Sequence, residues 1–525
     1  MSKPPSAASP ASASPSSAGL RRFLYLLAGF NGGAILIVEI LGAKMLSPFF
    51  GTSQFVWTAQ IAVTLVSLAV GYWFGGRLAD RSPDLKRLCW CMLAAAVYLV
   101  ATVPLVKPVS FAALRLGSLA TGSIIASTFL FFVPLTLLAV TGPFLIRAMI
   151  RSMTDAGGLV GRVSAISTFG SVGGTMLTSY LLIPLLPNSV AMYLTAAAVA
   201  ALALAYFLIW HRGGRAAAVV AMLTVLLIGA VARKDEIGAA LPGFREIARA
   251  NSDYGLLQVL ERESGDLRYY LNDLLLQNTY DPVTRQSASL FTHMLHGLAE
   301  AYTPRIERVL CIGMGVGVVP MQFAREGRRV DVVEINPAVV PLAEAHFDLN
   351  VSAINLTIGD GRQYLHELPD GAYDALVLDA FLGDSSPSHL MTREAFADMR
   401  RVLKPDGVLV INSFGRFDAG RDFMAASLDK TLKAVFRSVI IHASGNGNVF
   451  YVASDQFPLG MHREPDVAAA HRTLRSEMRA ALTGIMRPAE TSGMVLTDDF
   501  NPVEIRDAPN RERFRRDLTR MMTEL

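Results

Sequence analysis

Arg308-Val-Leu-Cys-Ile-Gly-Met-Gly-Val-Gly317, followed by Val330-Asp-Val-Val-Glu-Ile-Asn336, decides how the second half of this chain is read. An apolar strand runs into glycines at 313, 315 and 317, and a second apolar strand ends in Glu334. In a βαβ unit this order sets backbone amides and a helix N-terminus against a nucleoside. The acid about 20 residues past the first glycine then accepts the ribose hydroxyls. Glycine turns also arise for steric reasons alone. The acid at that distance and the two buried-looking strands favour a nucleoside-binding sheet.

Strand-like and helix-like segments alternate onward from this unit. Strands are predicted at 309–312, 330–334, 356–358, 375–378, 408–411, 438–442 and 449–453, and helices at 318–325, 338–347, 362–367 and 392–402. Such alternation specifies a doubly wound, largely parallel seven-stranded α/β Rossmann-like sheet with the last two strands as an antiparallel edge, an arrangement that resembles the class I methyltransferase type. Just upstream, 254–261, 267–271 and 274–277 alternate polar and apolar residues between turn signals, which predicts a small β-hairpin subdomain.

Ligands in sheets of this kind bind beyond the C-terminal strand ends. The polar residues there are Glu334, Asp360 with Gly361, and Asp379. Asp360 serves either to bind an adenine amino group or to cap the next helix, and both roles are compatible. Asp379 closes the apolar run Ala375-Leu-Val-Leu378, where a carboxylate emerging from a buried strand is suited to general-base work. Asp384, Pro387 and His389 lie on a following loop that is placed to cover a substrate. The chain has no metal-spaced Cys/His cluster and no serine-hydrolase elbow, so no metal is expected.

The first half has a different character. The 525 residues carry 52% hydrophobic residues and a mean hydropathy of +0.38, and the excess is concentrated in 23–232. A bilayer crossing needs about 20 apolar residues. Seven segments meet or approach this: 23–43, 55–74, 88–106, 119–139, 163–186, 190–210 and 216–232, the last being the shortest. Gly170, Gly173 and Gly174 suit close helix approach in the fifth. Glu39 lies deep in the first and faces either the bundle interior or the headgroups. Arg21, Arg22, Arg77, Arg81, Lys86, Arg87, Arg147, Arg151, Arg162, Arg212 and Arg215 fall on one side. The opposite loops hold little beyond Lys44, Lys107 and Arg115, so the N-terminus is expected in the cytoplasm. Whether the last segment crosses fully, and so which face holds the C-terminal half, is left open by the sequence. The net charge of +4 is too small and scattered to argue for nucleic acid, and the three cysteines give no disulfide framework. The expected organisation is a Ser/Ala/Pro-rich tail at 1–20, a multi-pass α-helical membrane domain at 21–235, a small β subdomain at 245–300, the Rossmann-like domain at 301–460 and a helical extension at 461–525.

Two resemblances add to this reading. Gly75-Gly-Arg-Leu-Ala-Asp-Arg81 resembles the loop between helices two and three of major facilitator transporters. Over about 245–455, the glycine turn, Glu334, Asp360-Gly361 and Tyr373-Asp-Ala-Leu-Val-Leu-Asp379 resemble the spermidine synthase (polyamine aminopropyltransferase) family in its membrane-fused bacterial form. Asp273 and Gln277 look like the Asp and Gln of that family's N-terminal hairpin. The likeness implies decarboxylated S-adenosylmethionine as cosubstrate, with Glu334 on the ribose, Asp360 on the adenine and Asp379 taking the proton from an attacking amine or polyamine. Pro387 matches a family proline. It also implies a bacterial inner-membrane location, with a homodimer as an open expectation. The chain departs from the family at Val316, where an aspartate is usual, at Thr292, with His293 one place after the family's histidine, and in the expanded stretch Asp379-Ala-Phe-Leu-Gly-Asp384. Each departure removes a group that would contact a cationic amine. An S-adenosylmethionine-dependent methyltransferase is therefore the alternative, and a transporter or sensor with a nucleoside- or polyamine-binding domain is the third reading. Asp498 or Asp499, in Leu496-Thr-Asp-Asp-Phe-Asn-Pro-Val-Glu504, either reaches the pocket or forms a surface turn.

Overall fold

The computed structural model describes residues 18–51, 54–116, 118–150, 156–211, 213–238, 243–381, 387–445, 447–489 and 492–513. Asp384 lies outside them.

Apolar runs this long satisfy their backbone only as helices. The first half folds into α1 (Ala18–Phe50), α2 (Gln54–Arg81), α3 (Leu85–Leu116), α4 (Leu119–Ala139), α5 (Thr141–Met149), α6 (Ala156–Leu177), the short α7 (Ile183–Leu185), α8 (Asn188–Ile209) and α9 (Arg215–Gly238). Six stretches are long and apolar enough to cross a membrane, where seven were expected; the apolar part of α9, Arg215–Val231, is shorter than the rest. Large apolar side chains such as Leu65, Phe169 and Leu227 point outward from the bundle. The tightest seam is α1 against α6. A Cβ on Gly170 would lie 1.8 Å from the Gly29 carbonyl oxygen, and one on Gly174 would lie 2.5 Å from that of Gly33. Both helices thus use glycines one turn apart to bring their backbones together. Gly173 faces open space and takes no part. Glu39 turns toward Thr64 of α2, and one turn away the Ser127 hydroxyl donates to Gln60 Oε1 at 2.7 Å.

The small β subdomain is larger than a hairpin. It is a five-stranded antiparallel sheet of β1 (Phe244–Ser252), β2 (Gly255–Arg262), β3 (Arg268–Asn272), β4 (Leu275–Asp281) and β5 (Gln286–Ser287), in that order. β1 was not expected, because Phe244-Arg-Glu-Ile-Ala-Arg reads as polar. Its charges are held across and along the sheet, Arg245 on Glu261 at 2.8 Å and Arg249 on Glu246.

The helix α10 (Leu290–Tyr302) leads into β6 (Arg308–Ile312), α11 (Val318–Arg325), β7 (Arg329–Glu334), α12 (Val339–His346), β8 (Asn355–Ile358), α13 (Gly361–Glu367), β9 (Tyr373–Leu378), α14 (Arg393–Val402), β10 (Leu403–Gly415), α15 (Phe423–Lys433), β11 (Ser438–His442) and β12 (Gly447–Ser454). The seven strands order as β11-β12-β10-β9-β6-β7-β8. β11 and β12 pair antiparallel at one side of the sheet, as expected, with β12 also antiparallel to β10, and the outermost strands are β11 and β8. Alternate residues face two separate cores: Val309, Cys311 and Val377 on one side, Leu310, Ile312 and Leu378 on the other. Both faces are covered, as a parallel sheet requires. The C-terminal extension is mostly irregular among the described residues, with α16 (Arg475–Thr483) and the short α17 (Val503–Arg506).

Candidate active site

Parallel pairing decides where the site falls. Ile312 of β6 pairs with Leu378 of β9, and Glu334 of β7 pairs with Ile358 of β8. The residues that follow these strands (Gly313, Asp379, Gly359 and Asp360) therefore emerge along one rim. The chain order reverses between β6 and β9, which is where open α/β sheets leave a crevice. Here that crevice is a cavity of about 530 Å³, walled by Gly313, Gly315, Glu334, Asp360, Gly361 and Asp379 on the sheet side. The β subdomain contributes Tyr254, Tyr270, Asn272, Leu276 and Gln277, and the far side is closed by Phe381, Pro387, His389, Asn412 and Phe414. That volume is within the range typical of small-molecule sites.

The glycine turn is conformationally specific. Gly313, Gly315 and Gly317 have φ of 89°, 54° and 82°, in the left-handed region costly for other residues. A Cβ at Gly313 would meet the Asp379 carbonyl oxygen at 2.3 Å, and one at Gly317 would meet Leu349 Cδ1 at 2.6 Å. Gly315 is different, since no atom lies within 4 Å of its missing Cβ. It borders the cavity itself. Gly317 is the N-cap of α11 and lies behind the wall.

Each of the three acids is held by its surroundings. Glu334 accepts from the Met314 amide through Oε2 and from the Asn336 amide through Oε1, both at 2.8 Å, so it straps the glycine turn to β7. Burial raises its pKa and these amides offset part of the rise. Asp360 caps α13, its Oδ1 accepting from the Arg362 and Gln363 amides, while Oδ2 faces His389 Nε2 at 3.0 Å. Burial opposes its ionisation, but those amides and the His389 ring outweigh burial and keep its carboxyl below the ordinary value. Asp379 is half-buried and borders the cavity. Burial pushes its pKa up to about 6, the Asn412 amide opposes the rise and the charge of Glu334 adds to it. Asn412 Nδ2 donates to Asp379 Oδ1 at 2.9 Å, and Asn448 Nδ2 holds Asn412 Oδ1 at the same distance. This Asn448–Asn412–Asp379 relay was missed from the sequence. Its one signal was a polar residue ending the apolar run of β10.

Several expected site residues stand elsewhere. Asp273, at φ 47°, turns inward to accept from the Leu256 amide at 2.9 Å and is absent from the cavity wall. His293 is buried within α10, its Nε2 against the Ser287 carbonyl at 2.8 Å, while Thr292 beside it borders the cavity. Helical rotation between neighbours accounts for that exchange. Asp498 is locked onto Arg362 and Thr392, with no side in the pocket. Two wall residues come from the extension, Leu474 as the N-cap of α16 and Glu477 in its first turn.

A methyltransferase-domain profile matches residues 310–411. A polyamine aminopropyltransferase of Vibrio vulnificus is 30% identical over 213 residues, covering 39% of this chain and 71% of that protein. The chain belongs to the polyamine aminopropyltransferase family. The alignment covers 39% of the chain, and the matched methyltransferase-domain profile lies in its C-terminal half. This aminopropyltransferase-family chain is also 27% identical over 216 residues to an N-terminal histidine N-methyltransferase of Emericella nidulans, spanning 38% of that protein. Among solved structures, a probable spermidine synthase from Corynebacterium glutamicum aligns with 47% of this chain and 97% of its own, at 19% identity and a TM-score of 0.38.

Proposed function

We propose that the chain is a membrane-inserted transferase that uses decarboxylated S-adenosylmethionine to aminopropylate an amine. The observation that carries this is the placement of the Asp379 carboxylate, held by Asn412, at the crevice where the glycine turn and Glu334 meet. An ammonium has no lone pair and cannot attack carbon. A carboxylate at the cavity edge attracts the cation and takes its proton. The freed nitrogen then forms a bond to the carbon beside the sulfonium. The sulfur–carbon bond breaks, and its electron pair stays on sulfur as a neutral thioether.

The cosubstrate fits the wall. Gly315 leaves open space where a nucleoside passes the turn, and Glu334 and Asp360 keep lone pairs beside it. Glu334 would serve the ribose, Asp360 and Gly361 the adenine, and Gln277 and Pro387 the flanks. One feature favours methyl transfer instead. Val316 is buried where the family carries an acid, which removes repulsion against the carboxylate of intact S-adenosylmethionine. The outward-facing apolar side chains of the bundle support its insertion in a bilayer.

The test supplies the purified full chain with each cosubstrate and a panel of amines, and identifies the nucleoside product by mass spectrometry. Methylthioadenosine supports the leading reading and S-adenosylhomocysteine the alternative. Neither product with any amine would refute both.

A further inference from the structure

The position of the C-terminal domain relative to the bilayer follows from the end of the bundle it sits on. The chain enters α1 beside Arg21 and Arg22, and α9 leaves the same end at Arg215 and finishes at Gly238 on the other. The C-terminal domain begins there, and four contacts hold it there. Lys44 Nζ, at the far end of α1, donates to the Asp253 carbonyl at 2.6 Å. Leu274, in the turn between β3 and β4, packs against the core of the bundle. The Leu119 amide, at the start of α4, meets Glu512 Oε2 at 3.3 Å, and α7 lies against β1.

The opposite end holds the positive charge. Arg81 ends α2, Lys86 lies in the first turn of α3, Arg147 in α5, and Arg215 at the start of α9, besides Arg21 and Arg22. Trp73, Trp90 and Trp210 mark the same end, with the Arg77 guanidinium 4.1 Å above the Trp73 ring. Short loops rich in Lys and Arg stay on the cytoplasmic side, and interfacial tryptophans mark the headgroup level. Among the described residues the docked end offers fewer basic groups, Lys44, Lys107 and Arg115 with Arg233 and Lys234 near the end of α9, and Lys44 is turned onto Asp253.

From the two ends together we infer that the C-terminal domain and its cavity stand on the face of the membrane away from the cytoplasm. Every substrate of the cavity is then met on, or delivered to, that face. The inference rests on the membrane insertion proposed above and is independent of the transfer chemistry.

The full chain is produced in a Gram-negative host with alkaline phosphatase or green fluorescent protein fused after Leu525. The expected result is a carbonate-resistant chain whose phosphatase fusion is active and whose fluorescent fusion is dark. A second measurement avoids the fusions. Val283→Cys, at a position 78% exposed in the turn ahead of β5, is labelled by a membrane-impermeant maleimide in cells with a permeabilised outer membrane. Asp80→Cys, at the basic end, is labelled only after lysis, with the parent chain as blank. A fluorescent C-terminus with Val283→Cys shielded until lysis, in a carbonate-resistant chain, overturns the placement alone. A carbonate-extractable chain overturns membrane insertion and the placement with it. Lack of transfer activity affects neither.

Discussion

Replacing Asn412 by alanine tests the reasoning about Asp379 most directly. Asp379 ionises near pH 6 because burial raises its pKa and one hydrogen bond, from Asn412 at 2.9 Å, opposes that rise. A hydrogen bond to a charged group contributes about 1.5 kcal/mol, and one pH unit corresponds to about 1.4 kcal/mol. Asn412→Ala should therefore raise the midpoint by about one pH unit, from about 6 to about 7. In the proposed reaction the base is the ionised form, so activity should be lost as pH falls through this value. The acid limb of kcat/KM should move to higher pH with its plateau retained. Asn448→Ala, which only frees Asn412 to rotate, should move it by less. Infrared difference spectra give a readout without turnover, since the protonated carboxyl band absent in Asp379→Asn should persist to higher pH in Asn412→Ala. A midpoint that stays or falls in a folded variant would refute the account.

Three further outcomes follow from the same geometry. The folded-state pKa of Asp379 lies above the ordinary 3.8, so the buried charge reduces stability as pH rises from about 4 through about 6. Asp379→Asn should accordingly raise the thermal midpoint at pH 8, by up to about 3 kcal/mol of stability, and leave it unchanged at pH 4. Gly315→Ala adds about 1–2 kcal/mol of backbone strain and a methyl aimed into open cavity, so calorimetry should show adenosine-ligand affinity falling roughly tenfold with a small loss of thermal stability. Gly317→Ala, whose methyl meets Leu349 instead, should lose more stability and less affinity. Gly170→Leu drives a side chain into the Gly29 backbone, and detergent-solubilised protein should run as aggregate on size exclusion, whereas Gly173→Leu should run as the parent does.

The middle of the sheet was legible because β6, β7 and β9 are short, mostly apolar runs that end in glycine or acid. β1 was illegible for the opposite reason: its arginines and glutamates look solvated until the cross-strand partners in β2 are known. The rim acids could be picked out because strand ends are fixed by the hydrophobic run before them. Asp273 and His293 could not be placed, because the direction of a side chain in a tight turn or one helical step depends on angles the sequence does not display. The Asn448–Asn412 relay joins strands far apart in sequence, and only β12 lying inside the sheet brings them together.

Lys44 ties the Asp253 carbonyl, one residue before the Tyr254 that walls the cavity, to a helix rooted in the other half of the chain. Any tilt or slide of α1 thereby reaches the cavity wall through a direct hydrogen bond. A fragment cut away from its helices would leave that wall unanchored, and kinetics recorded on it would describe a looser vessel than the one the whole polypeptide builds.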